Sequence, residues 1–61
     1  MRQTLFEIKN FGTLWRVAAI DVATNIEVVV SVPSNTPPEQ AKQHAFKRLQ
    51  YVLRQKNIIA D

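Results

Sequence analysis

Ile26-Glu27-Val28-Val29-Val30-Ser31-Val32-Pro33-Ser34-Asn35-Thr36-Pro37-Pro38-Glu39-Gln40-Ala41 is the stretch that decides the fold. Residues 26–32 are β-branched at nearly every position, which suits a pleated, half-buried strand, and Pro33 ends it by withdrawing a ladder donor. Thr36-Pro37-Pro38-Glu39 then has the form of a capping box. Thr36 is its N-cap, proline stands at N1, and Glu39 at N3 reaches back to the free amides. From there the period changes. At about 100° per residue, Ala41, Ala45, Leu49, Val52 and Leu53 fall within one arc of roughly 120°, with Phe46 at its edge. The spacing predicts a helix over 37–56. Glu39 in its first turn and Arg54 and Lys56 in its last complement the helix dipole. Asn57 suits a left-handed C′ position, from which Ile58 would meet Leu53 in a Schellman-type contact.

Upstream, residues 3–9 alternate loosely, with Phe6 and Ile8 on one side and Glu7 and Lys9 on the other, as a half-buried strand requires. Leu5 breaks the pattern. Asn10-Phe11-Gly12-Thr13 holds the only glycine in the chain, the residue that takes φ > 0 without steric cost. A second strand covers 14–20. Asp21-Val22-Ala23-Thr24-Asn25 is a turn whose side chains can bond backbone amides, with Asn25 suited to the left-handed region. Connections this short make antiparallel neighbours, so the strands form a meander in the order 1-2-3. The expected fold is α+β: a three-stranded antiparallel meander (3–9, 14–20, 26–32) with one C-terminal helix (37–56) across one face, and residues 1–61 as one domain.

If Phe11-Gly12 is a two-residue turn, Glu7 lies opposite Arg16 and Phe6 opposite Val17. The inward set is then Phe6, Ile8, Trp15, Val17 and Ala19, with Val28 and Val30, although a bulge at Asn25 would turn strand 3 over. Trp15 reads as core or rim, and Ile58 and Ile59 either fold back over the core or reach a partner subunit. The outer face carries Glu7, Arg16 and Glu27 together with Leu5, Leu14, Ala18, Ile20 and Val29. Half of it is apolar.

Size makes that face important. The 61 residues, about 7.0 kDa, have 46% hydrophobic content and no cysteine. A chain this short buries only about 60% of its unfolded surface. Ordering at roughly 1.5 kcal/mol per residue nearly cancels what such a core returns. With no cysteine and one histidine, neither a disulfide nor a metal can be expected to make up the difference. A partner is the remaining source of support, which points to a homodimer joined through the open sheet face at Leu5, Leu14, Ile20 and Val29.

Catalysis has little to work with. No Ser-His-acid set or Cys nucleophile is available, one glycine cannot build a phosphate loop, and the carboxylates show no pairing motif. No enzymatic activity, cofactor, metal or small-molecule substrate is expected. No apolar run approaches the roughly 20 residues of a membrane span. The first residues lack an apolar h-region before Glu7, so the expected location is the cytosol. The net charge of +3 concentrates on the helix: residues 37–56 hold five of the eight basic residues against Glu39, giving +4, and the rest of the chain nets −1. The helix face with Gln40, Gln43, His44, Lys47, Arg48, Tyr51 and Arg54 mixes basic, amide and aromatic groups. Such a mixture suits phosphate and sugar contacts, so Lys47, Arg48, Tyr51 and Arg54 are the alternative site, for nucleic acid.

Two resemblances accompany this reading. Residues 16–30, Arg-Val-Ala-Ala-Ile-Asp-Val-Ala-Thr-Asn-Ile-Glu-Val-Val-Val, with the helix end Leu49-Gln50-Tyr51-Val52-Leu53, resemble a family of small uncharacterised bacterial β-β-β-α proteins. That family typically has glycine at the position of Asn25, and the resemblance implies the fold but no activity. The order of three strands and a helix is also similar in topology to the later part of a double-stranded-RNA-binding domain. Ala41, Lys42 and Ala45 fit its helix. Pro38-Glu39-Gln40 stand where that domain has its lysine pair, and its first helix has no counterpart, so the similarity stops at topology.

Overall fold

A computed structural model describes residues 2–60. Three strands, β1 (Thr4–Asn10), β2 (Leu14–Asp21) and β3 (Ile26–Pro33), form an antiparallel sheet in the order β1-β2-β3, followed by α1 (Pro38–Gln55). The architecture is the expected α+β meander with one helix. Each boundary lies within about one residue of its sequence assignment.

The register differs from expectation by two. Phe6 faces Ala19, Glu7 faces Ala18, Ile8 faces Val17 and Lys9 faces Arg16, because the two-residue turn is Gly12-Thr13 rather than Phe11-Gly12. The Phe11 amide donates to the Leu14 carbonyl at 2.9 Å, and the Asn10 side-chain oxygen accepts from the Gly12 amide at 2.9 Å. Gly12, at φ 80°, occupies a conformation that a side chain would strain. A slip of two residues preserves the side-chain alternation, so the inward set survives although the partners change.

At the second turn Asn25 sits at φ 64°, and its amide donates to the Asp21 carbonyl at 2.7 Å. No bulge turns β3 over: Val17 pairs with Val30 and Ala19 with Val28. The core is Val17, Ala19 and Val32 beneath Ala41, Ala45, Leu49 and Leu53, with Trp15, Ile26, Val28, Val30, Ile58 and Ile59 packed around it. Trp15 is therefore a rim residue of the core, and the two isoleucines fold back onto it.

The helix start corrects the capping-box reading. Pro37, at ψ 138°, is itself the N-cap, and among the described residues no side chain caps the end. The ring of Pro38 excludes the residue before it from the helical region. Pro37 therefore cannot be N1, and Thr36 stands outside the helix. The first helical bond runs from the Ala41 amide to the Pro37 carbonyl at 3.0 Å. The other end forms as expected. Asn57 lies at φ 59°, its amide donates to the Arg54 carbonyl at 3.0 Å, and the Ile58 amide to that of Leu53 at 2.9 Å, the two bonds of a Schellman motif.

A second correction concerns β1. The helix packs on β2 and β3, so Phe6 and Ile8 point to its side of the sheet yet remain 37% and 38% exposed. A helix is about 10 Å across and strands lie about 4.8 Å apart, so one helix covers two strands. The short connection 34–37 returns it over β3 and β2, leaving β1 bare. Phe6 touches only the flank of α1, with its ring 6.5 Å from that of Phe46.

Candidate functional site

The face opposite the helix has three rows of three residues set by the strand register, and a fourth in which Leu14 pairs with Pro33 while Phe11, just past β1, bonds the Leu14 carbonyl through its amide. From one end they are Leu5-Ile20-Glu27, Glu7-Ala18-Val29, Lys9-Arg16-Ser31 and Phe11-Leu14-Pro33. All four residues expected at a self-association surface lie here. Leu5 and Ile20 are direct neighbours, Val29 belongs to the next row, and Leu14 stands apart beyond the Lys9-Arg16 row. Leu5, Phe11 and Val29 are 51%, 55% and 55% exposed, with no element of the described chain above them. Phe11 extends the apolar set, and sequence reasoning missed it by placing it in the turn. The signal was Asn10, whose side-chain oxygen accepts from the Gly12 amide and so sets the two-residue turn one position later, at Gly12-Thr13.

At the centre Ala18 makes a low point. Glu7, Lys9, Phe11, Arg16, Glu27 and Val29 rise around it and enclose a hollow of about 180 Å³. The hollow is acidic toward the Leu5 end and basic toward the Phe11 end. The Arg16 guanidinium lies over the Phe11 ring, 5.5 Å from its centroid. Lys9 and Glu7 approach at 3.9 Å while both are mostly exposed, a pair that contributes little to stability in isolation.

On the helix, Arg48 and Tyr51 come together, the guanidinium 5.4 Å from the ring centroid. Lys47 lies instead along a shallow groove with Gln40, Gln43 and His44, and Arg54 is half-buried in the last turn. Among the described residues Lys47, Arg48 and Arg54 have no ion pair.

Among the described residues the one buried carboxylate belongs to the framework. Asp21 accepts from Arg2 Nε at 2.9 Å and Nη2 at 3.2 Å, and from the Thr24 amide at 3.2 Å and hydroxyl at 2.6 Å. The Arg2 bonds, then that of the Thr24 hydroxyl, hold its carboxyl below the usual carboxylate range against the opposing effect of burial. Its acceptor positions are taken up in joining the chain before β1 to the β2–β3 turn. Among the described residues no three His, Asp or Glu side chains group as metal ligands would, and no helix is long and apolar enough to cross a membrane.

A family model described as a domain of unknown function, DUF6898, matches residues 1–56. Neither the curated proteins nor the solved structures contain a significant match.

Proposed function

The chain belongs to the DUF6898 family, whose function is unknown, and from its own surface we propose that it is a small non-enzymatic interaction module that self-associates through the open sheet face. The observation that carries this reading is the exposure of Leu5, Phe11 and Val29 beside Ile20, Leu14 and Ala18 on a face that no element of the described chain covers. For a core as small as this one, burying that face adds apolar contact the monomer lacks. Stacking two such faces removes on the order of 1,000 Å² in total from water, about the lower bound for a specific interface, where weak and transient complexes lie. The cysteine-free composition suits a reducing compartment, and we place the protein in the cytosol. Sedimentation equilibrium over the micromolar range tests the reading. A dimer that Leu5→Asp dissociates supports it, and a 7 kDa monomer at high micromolar concentration ends it.

The stacked Arg48–Tyr51 pair favours a second reading, weak nucleic-acid binding through Lys47, Arg48, Tyr51 and Arg54. Counterion release requires such binding to fall steeply with salt. An anisotropy titration at about 50 mM salt with no response to DNA or RNA disposes of it.

A further inference from the structure

The order of the outer-face rows constrains how a second copy can sit. Two sheets stacked face to face by a two-fold axis can be related in two aligned ways. An axis along β2 places Arg16 on the partner's Arg16, which sets like charges together at the centre of the stack. An axis across the strands, between the Ala18 and Arg16 rows, reverses strand direction and brings the first row onto the partner's fourth and the second onto the partner's third. Glu7 then meets the partner's Lys9, and Leu5 the partner's Phe11. Ile20 meets the partner's Leu14. Arg16 enters the hollow above the partner's Ala18, beside the partner's Glu7 and the partner's Glu27. The roughly 30° rotation between aligned sheets displaces the end rows most and the two rows beside the axis least, so the charged pairs keep their register.

We infer that the partner is a second copy of this chain, stacked outer face to outer face with strands reversed, so that Glu7 and Lys9 form reciprocal ion pairs and Arg16 fills the Ala18 hollow. This inference rests on the self-association reading and specifies its geometry. It gives the small Ala18 at the floor of the hollow a role: a larger residue would occupy the space that the partner's Arg16 takes.

The test is a charge exchange. Glu7→Lys and Lys9→Glu each set like charges at both reciprocal contacts, and each weakens the homodimer about tenfold. General repulsion predicts otherwise, since Lys9→Glu lowers the net charge by two, from +3 to +1, and would tighten association. Mixed in equal amounts, the two variants form a heterodimer with both contacts restored, read by sedimentation equilibrium or native mass spectrometry. A mixture no tighter than its components, while Val29→Asp still dissociates the wild-type dimer, overturns the reversed arrangement and leaves self-association standing. A wild-type chain that stays monomeric overturns both. Val29 is exposed, so Val29→Asp retains the wild-type circular dichroism spectrum.

Discussion

Ala18 and Ala19 are adjacent on β2 and almost equally buried, at 7% and 0% exposure, for opposite reasons. Ala19 lies beneath the helix, in contact with the core. Ala18 faces away and is covered only by the taller side chains of its own sheet around it. The first kind of burial excludes water by packing two layers. The second leaves a cup open to whatever lies above. A small residue on a sheet can therefore be hidden without being in the core, and the two faces of this sheet should respond differently to every perturbation.

The largest expected contrast is between the faces themselves. Leu49→Ala, which removes the largest buried side chain of the helix, should cost about 3 kcal/mol, much of the stability of so small a domain, read as a fall in the thermal midpoint. Val28→Ala on the helix side should cost about 1 kcal/mol and Val29→Ala on the open side less than about 0.5 kcal/mol in the monomer. Equal losses from the two would erase the distinction between faces. Acid should act on the helix-side face through Asp21. With its folded carboxyl below the ordinary value, its contribution is complete above about pH 4 and is lost as pH falls through the lowered value. The acid limb of the melting profile should therefore flatten in Asp21→Asn, whose midpoint is already lower at neutral pH. The smallest effect concerns Thr36. A true N-cap would cost about 1 kcal/mol on conversion to alanine, whereas Thr36→Ala here should change stability by less than about 0.5 kcal/mol in a denaturant titration.

Much of this was legible in the residues. The helix seam through Ala41, Ala45, Leu49 and Leu53 follows from period alone, and Asn25 and Asn57 adopt the left-handed backbone their side chains tolerate. The apolar open face was readable because an error of two in register leaves alternation intact. What escaped had non-local causes. Consecutive prolines moved the helix start, since each restricts its predecessor. The bare inner side of β1 depends on the width of a helix relative to a strand and on which strands it returns over. Arg2 gave no signal for Asp21, because the two are 19 residues apart. The complementary order of charged and apolar rows could not be drawn until the register was known.

The position of β1 also has a kinetic consequence. It has one hydrogen-bonded neighbour, no helix above it, and the Arg2–Asp21 clasp at its start. Opening that strand exposes little of the core, so its amides should exchange with solvent through local excursions rather than global unfolding. Those on β2, held between two strands beneath the helix, should exchange only when the whole domain opens. Stacking of two outer faces leaves the β1 edge free, and its outward amides would stay fast in the dimer. Association along that edge would slow them first. Amide exchange at β1 thus distinguishes two ways of meeting a second copy that a measurement of mass alone would count as the same.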